Sequence, residues 1–159
     1  MSNDAALRKY LLDMLNGSEA HAAFDQVVAD FPPDRIGVRP QGLAHSAWEL
    51  LEHMRIAQSD ILEFSRSADY RSPKWPEGYW PASPAPQREG EWHESIRNFR
   101  RDLTAFGNLL MNPDQDLYRP FPWGDGQTLL REALLIIDHN SYHMGQLVQV
   151  RRALGVWPV

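Results

Sequence analysis

The feature that most constrains the fold is the spacing of apolar residues, which repeats with the period of an α-helix. Between residues 45 and 66 the apolar side chains recur at alternating steps of three and four residues: Ala47, Leu50, Met54, Ala57, Ile61 and Phe64. Residues 90–111 show the same spacing: Trp92, Ile96, Phe99, Leu103, Phe106 and Leu110. Side chains at these steps share one helix face, so both segments are predicted to form amphipathic helices.

Three further segments have helical character. Residues 127–154 are predicted to form the last helix, closed by Gly155 and Pro158, and its first half is apolar almost all round. Such a helix is buried or also serves a subunit contact. Residues 4–16 predict a short helix, and residues 18–30 predict a second helical segment with Ser18 as its N-cap.

No segment has a convincing strand pattern, so the sequence predicts an all-α fold. We expect a bundle of four main helices with a short extra N-terminal helix. A chain of 159 residues is of single-domain size, so the domain is predicted to span residues 1–159.

Two proline-rich loops separate the later helices, at residues 67–90 and 113–126. The longer loop holds Trp75, Tyr79 and Trp80 among its prolines, and its aromatic content argues against disorder. A connection of this length is typical of a lid or a binding loop. The alternative is that its aromatic side chains cover one end of the core.

Composition excludes several classes of function. The chain has no cysteine, which excludes disulfides, thiolate metal ligands and a cysteine nucleophile. Its net charge of −5 opposes general binding to a phosphate backbone, so no nucleic-acid partner is expected. The longest aliphatic run, residues 133–137, is too short to span a membrane, and the polar N-terminus predicts no signal peptide. We therefore expect a cytoplasmic protein without a membrane partner.

The clearest chemical signal is the segment Asp-His-Asn-Ser-Tyr-His-Met-Gly-Gln at residues 138–146. His139 and His143 are four residues apart, so on a helix they lie on one face and can hold one metal ion. His53 lies beside the apolar face of the helix predicted at residues 45–66. Two facing helices that contribute one and two histidines would leave a coordination position open, as in catalytic sites. The alternative is an ordinary helix with unrelated surface or core histidines.

The other three histidines are predicted not to be ligands. His45 is eight residues before His53, which places it about 80° around the helix. His21 and His93 have no partner at a suitable spacing. Gly145, a poor helix former inside the last helix, is predicted to allow close approach of a neighbouring backbone.

The chain resembles the DinB/YfiT-like family of metalloenzymes from about residue 18 to its end. The segments that carry the resemblance are residues 48–54, 124–132, 138–146 and 151–155. It implies a four-helix bundle, often a homodimer, in which three histidines hold a divalent metal. The matching residues are His53, His139 and His143. Zinc, nickel, iron and manganese are all candidates, because the sequence does not select the metal.

The resemblance implies a metal-dependent enzyme with a small-molecule substrate, and two mechanisms fit. Hydrolysis is usually assisted by a general base near the metal, and Glu49 and Glu132 are the nearest candidates by helical position. Each of these carboxylates could instead orient a histidine ring N–H or simply be solvated. Gln146 lies on the same helix face as His139 and His143, and the sequence does not assign its role. Thiol transfer needs no protein base, because a metal can deprotonate a coordinated thiol. Some relatives in the wider superfamily use a low-molecular-weight thiol, so a thiol-dependent S-transferase is slightly favoured over a hydrolase.

The non-enzyme alternative is a stress-associated bundle that binds a metal or ligand without catalysis. An open metal position facing a cleft lined by Trp75, Tyr79, Trp80 or Trp123 would favour the enzyme. A closed site with four protein ligands would favour a structural role.

Overall fold

The computed structural model of the protein describes residues 3–17 and 20–157. Over these residues the chain forms five α-helices: α1 (Asn3–Asn16), α2 (Phe24–Val28), α3 (Ala47–Arg66), α4 (Glu91–Met111) and α5 (Leu129–Ala153). A single 3-10 turn lies at Glu77–Tyr79 in the loop between α3 and α4. The described residues contain no β-strand beyond an isolated bridge between Pro120 and Thr128, which confirms the all-α prediction.

Four helices build the bundle. Helix α3 packs against α4 and α5, α1 packs against the same two helices, and α2 lies against α5. The short extra helix is therefore α2, with five residues, whereas α1 has 14 residues and joins the core through Leu11 and Leu15. The helix predicted at residues 18–30 covers only Phe24–Val28, because the backbone is extended at Ala23 before it and at Ala29 after it. The predicted N-cap Ser18 and the closing Pro158 lie outside the described residues.

The buried side chains form two apolar clusters along the bundle. One joins α2 to the N-terminal halves of α3 and α4 and the C-terminal half of α5, and includes Phe24, Leu51, Met54, Phe99 and Leu147. The other joins α1 to the opposite halves of the same helices, and includes Leu11, Leu62, Phe106, Leu110 and Ile136.

A buried polar pair links α3, α4 and α5 in the interior. The Gln58 side-chain amide donates to the Phe99 carbonyl at 2.8 Å, and Asn140 donates to Gln58 at 2.9 Å. Buried amides that find partners in this way avoid most of the cost of their desolvation.

Both helices that carry the histidines of interest begin with a side-chain cap. At α3, Ser46 Oγ accepts from the Glu49 backbone N–H, and the Glu49 carboxylate accepts from the Ser46 N–H at 2.8 Å. At α5, Thr128 accepts from the Arg131 N–H at 3.2 Å. Such caps satisfy amide groups at the helix start that have no partner within the helix.

Helix α5 ends at Ala153, and Gly155, the predicted closing residue, follows with a left-handed φ of 70°. The prediction for Gly145 is wrong, because a Cβ atom placed there would have no neighbouring atom within 4 Å and the residue is exposed. Close packing of a neighbouring backbone thus plays no part at this position.

Two buried arginines hold the ends of the bundle together. Arg8 on α1 donates to the Leu110 and Gln115 carbonyls, both at 2.5 Å. Arg151 on α5 donates to the Val27 and Ala29 carbonyls at 2.9 and 2.7 Å, beyond the end of α2. Of the helices in the described ranges, none has the length and apolar character that crossing a membrane requires.

Candidate metal centre

His53 on α3 meets His139 and His143 on α5 where the two helices pack together. One nitrogen from each ring can be chosen so that all three lie within 4.8 Å of one another. The Nε2 atoms of His53 and His139 are 3.0 Å apart. His53 and His143 are buried and His139 is half-buried. The three side chains that the sequence singled out are thus brought together in space.

Hydrogen bonds at the opposite ring nitrogens determine which nitrogens are free. His53 Nδ1 lies 2.8 Å from the Tyr79 carbonyl oxygen. His143 Nδ1 lies 2.7 Å from Gln146 Oε1. Both oxygens can only accept, so each Nδ1 carries the hydrogen and donates it. The Nε2 atoms of His53 and His143 therefore keep the lone pair that a metal requires.

His139 completes the group in a different way. Because His53 Nε2 has a lone pair, the 3.0 Å contact makes His139 Nε2 the donor when no ion lies between the rings. Binding an ion would require His139 to move this hydrogen to its Nδ1. Neutral imidazole can exist as either tautomer, so the rearrangement changes no net charge.

The surroundings of the cluster favour neutral rings. Burial and, to a smaller extent, a neighbouring imidazole lower the pKa of His139 to about 4 and that of His143 to about 4. Burial also lowers the pKa of His53. All three rings are consequently neutral at pH 7, which is the form that binds metal.

The donor set and spacing fit a transition-metal ion. Nitrogen ligands at about 2.1 Å from a tetrahedral ion are separated by about 3.4 Å. The contact between His53 and His139 would have to widen by about 0.4 Å, and the widest separation in the group, up to 4.8 Å, would have to narrow by about 1.4 Å. Three close histidines can therefore bind a metal ion, and within the described ranges no aspartate or glutamate joins them as a further ligand. Such a site leaves at least one position for water or substrate.

The loop at residues 67–90 covers one side of this cluster. The Trp80 indole stacks on His53 with ring centroids 3.9 Å apart and planes 1° from parallel. Its other face stacks on His45 at 4.2 Å. His45 is therefore separated from the cluster by the indole and is not one of the three grouped histidines, as predicted.

His21 and His93 also lie apart from the cluster. His21 contacts the Ala22 carbonyl at 3.1 Å and Ser141 Oγ at 3.3 Å. His93 lines a separate surface pocket beside Trp92. Neither belongs to the group of three, in agreement with the prediction.

The expectation that Glu49 or Glu132 would orient a histidine ring is wrong. Glu49 is bound by Arg39 and by the Ser46 backbone, where it caps α3. Glu132 is 2% exposed and accepts from Arg131 at 2.7 Å, and burial raises its pKa. The groups that do orient the rings are the Tyr79 carbonyl and Gln146. A loop carbonyl has no sequence signature, whereas the i, i+3 spacing of His143 and Gln146 was a usable signal.

Only two of the four aromatic residues proposed for a cleft lie at the cluster, namely Tyr79 and Trp80. Trp75 is 69% exposed and contacts Tyr79 by its edge at 5.3 Å. Trp123 donates to the Phe64 carbonyl at 2.8 Å, near the far end of α3. The structure thus divides the aromatic residues between two sites.

A small, mainly apolar pocket of about 150 Å³ adjoins the cluster. It is lined by Leu43, Ala44, His45, Leu50, Gln146, Gln149 and Val150. Gln146 also accepts from His143, and His45 also stacks on Trp80. The pocket therefore lies one side chain away from the three histidines.

Comparison with known proteins gives one family. The profile described as the DinB superfamily matches residues 17–147, which include all three grouped histidines. No curated protein and no solved structure matches the chain.

Proposed function

The chain belongs to the DinB superfamily, and from that membership we propose that it is a metal-dependent enzyme whose metal is held by His53, His139 and His143. The observation that carries the proposal is the convergence of three neutral imidazoles from two helices. The Nδ1–H groups of His53 and His143 already donate to the Tyr79 carbonyl and to Gln146 Oε1. Ligands oriented in this way lose little freedom when an ion binds.

A bound zinc, nickel, iron or manganese ion would act as a Lewis acid and lower the pKa of a thiol or a water molecule. The protein itself would position the metal ligands and the substrate and shield the site from solvent. Trp80 limits solvent access to the face of His53 on which it stacks. The adjoining pocket offers apolar walls to a small-molecule substrate.

Between the two reactions, we propose thiol-dependent S-transfer as the first candidate. Hydrolysis would be assisted by a protein carboxylate that accepts a proton near the ion. The two candidates for that role, Glu49 and Glu132, are engaged with Arg39 and Arg131 instead. Attack by a low-molecular-weight thiol on an electrophile depends less on such a base, because the ion itself favours the thiolate.

Metal content tests the first part of the proposal. Protein purified without a nickel column or a histidine tag is expected to contain about one transition-metal ion per chain by elemental analysis, and His139→Ala to contain none. His93→Ala is the matched control, because His93 lies in another pocket. If the parent protein takes up no zinc, nickel, iron or manganese even after reconstitution, the proposed metal site is wrong.

Activity tests the second part. Metal-loaded protein is incubated with monochlorobimane and a panel of low-molecular-weight thiols, with the His139→Ala variant beside it. We expect conjugation that requires both the metal and one of the thiols. Metal-dependent ester hydrolysis without conjugation would favour the hydrolase. Metal binding with neither activity would favour the non-catalytic binding protein.

We further propose that the chain forms a homodimer. Large apolar side chains remain exposed on two adjacent helices, with Tyr10 and Met14 on α1 and Leu134 and Tyr142 on α5. Side chains of this kind are often covered by a partner subunit. Light scattering coupled to gel filtration measures the mass directly.

A further inference from the structure

The loop between α3 and α4 contacts one face of α3 at regular intervals. Ser46 donates to the Pro84 carbonyl at 2.5 Å, His53 donates to the Tyr79 carbonyl at 2.8 Å, and Asp60 accepts from the Tyr79 hydroxyl at 2.7 Å. The three α3 residues are spaced by seven, or about two turns, so they lie on the same face. The loop is therefore aligned along α3 rather than attached at a single point.

Tyr79 is held at both ends of the residue. Its backbone carbonyl accepts from His53, and its phenol donates to Asp60 two turns further along α3. Tyr79 is therefore fixed to α3 through both its backbone and its side chain.

Asp60 is well suited to act as the anchor. Its Oδ2 accepts from Tyr79, while Oδ1 is buried and has no hydrogen-bond partner in the described structure. Tyr70 lies nearby, and its pKa is raised to about 12 by burial and by this carboxylate. Loss of the Tyr79 phenol would remove the hydrogen bond to Oδ2, and a buried polar group that loses a partner is costly.

We propose that Asp60 and Tyr79 are positioning residues for His53. The bond between phenol and carboxylate holds the Tyr79 backbone where its carbonyl accepts from His53 Nδ1, which leaves Nε2 directed at His139. The same anchor places the following residue, Trp80, against the His53 ring. As it concerns metal binding, this inference rests on the proposed three-histidine site.

Removal of a single oxygen atom tests the role of the phenol. Tyr79→Phe is expected to raise the metal dissociation constant about 10-fold, the lower end of the usual effect of losing a group that orients a ligand. Asp60→Ala should weaken binding to a similar extent, whereas Asp60→Asn should largely retain it because the amide oxygen still accepts from the phenol. Tyr118→Phe, which alters an exposed phenol in another loop, should leave affinity unchanged. The measurement is zinc competition against a chromophoric chelator.

A double-mutant cycle separates one shared bond from two independent effects. If Asp60 acts through the Tyr79 hydroxyl, the double variant Tyr79→Phe/Asp60→Ala should bind zinc no more weakly than either single variant. Losses that multiply would overturn the proposal, as would wild-type affinity in both single variants. Thermal midpoints of the metal-free variants show whether a loss of affinity merely reflects unfolding.

A metal-free measurement makes the inference independent of the proposed function. In ¹H–¹⁵N spectra of the imidazoles at neutral pH, parent protein and Asp60→Asn should show His53 with its hydrogen on Nδ1. Tyr79→Phe and Asp60→Ala should show a mixture of tautomers. If these tautomers are observed but the parent protein binds no metal, the metal site is overturned and the positioning role is supported. An unchanged tautomer together with unchanged zinc affinity would overturn the positioning role and leave the metal site standing.

Discussion

Gln146 is the side chain on which the orientation of His143 depends most directly. Its Oε1 accepts a hydrogen bond from His143 Nδ1 at 2.7 Å, which determines how the ring is oriented. Gln146→Leu removes the acceptor at similar volume and is expected to weaken zinc binding about 10-fold, because groups that orient a ligand typically contribute that much or more. Chelator competition measures the change.

The control for this prediction lies one turn away on α5. Gln149→Leu makes the same change at an exposed position without a contact to the histidines, so it should leave zinc affinity unchanged. Gln146→Glu keeps an acceptor and should retain tight binding. Equal affinity of Gln146→Leu and the parent would contradict the assigned tautomer of His143.

The depressed pKa values of the histidines predict acid sensitivity of the metal-free protein. His139 and His143 have a pKa of about 4 in the folded chain, against an ordinary value of 6.5. The unfolded chain therefore binds more protons between these values. Stability is greatest above pH 6.5 and falls as the pH drops towards 4, by up to about 7 kcal/mol for the two groups together, because a difference of one pKa unit corresponds to about 1.4 kcal/mol.

Denaturant unfolding of metal-free protein at a series of pH values measures this dependence. His143→Leu should flatten the slope between pH 6.5 and 4, because one of the two groups no longer titrates. The exposed His21 is the control, since His21→Leu leaves both shifted groups in place. A free energy of unfolding that rises as the pH falls over this range would contradict the prediction.

At the level of residues, the grouping of the three histidines could be predicted, whereas among its supporting contacts only that of Gln146 has a signal in the sequence. The spacing of His139 and His143 identifies a shared helix face, and His53 emerged from its place beside the apolar face of α3. Glu49 seemed suitable by helical position alone, but the capping requirement of α3 takes its carboxylate. The carbonyl of Tyr79 depends on the path of a long loop, which local sequence does not determine.

Helix α5 contains one position at which a substitution is expected to stabilise the folded protein. Gly145 is helical and exposed, and a Cβ there would meet no atom within 4 Å. Gly145→Ala is expected to raise the free energy of unfolding by about 0.5–1 kcal/mol, because alanine loses less backbone entropy in a helix. Chemical denaturation followed by circular dichroism measures the difference.

A second glycine at the end of α5 provides the matched control. Gly155 also has open space around it but has a φ of 70°, which alanine adopts at a cost. Gly155→Ala should therefore destabilise the protein by roughly 1 kcal/mol. A stabilising effect at Gly155, or a loss at Gly145, would contradict the conformational explanation.

The bounds of the helices could be predicted best for long helices with a regular apolar repeat. Helices α3, α4 and α5 lie within about two residues of their predicted bounds, since each has a long apolar repeat and a clear start or stop. The length of α2 was overestimated, because the backbone is extended at Ala23 and again at Ala29, which leaves only five helical residues between them. Which of the two N-terminal segments enters the bundle depends on contacts such as those of Arg8, which sequence patterns do not reveal.

On the scale of the whole molecule, the proposed dimer leads to a specific prediction. Leu134 on α5 is 50% exposed, so Leu134→Glu should leave the fold of the chain intact. A charge at this position would be buried in a dimer contact, and the expected result is a monomer by gel filtration with light scattering. Met111→Glu, a similar change at the exposed end of α4, should remain dimeric.

The outcomes of this test are distinct. A parent protein with the mass of one chain would contradict the homodimer itself. A dimer in both variants would place the contact elsewhere on the surface. Circular dichroism confirms that each variant retains its helical content.

The origin of the three histidines in two distant parts of the chain has a consequence for unfolding. His53 and His139 are 86 residues apart in sequence, and the chain has no cysteine to form a covalent cross-link. An ion shared by α3 and α5 would close a long loop and so reduce the conformational entropy of any unfolded chain that retained it. Where only the folded chain binds, an ion at 100 times its dissociation constant would add about 2.7 kcal/mol. The fraction of folded protein would then depend on the supply of metal.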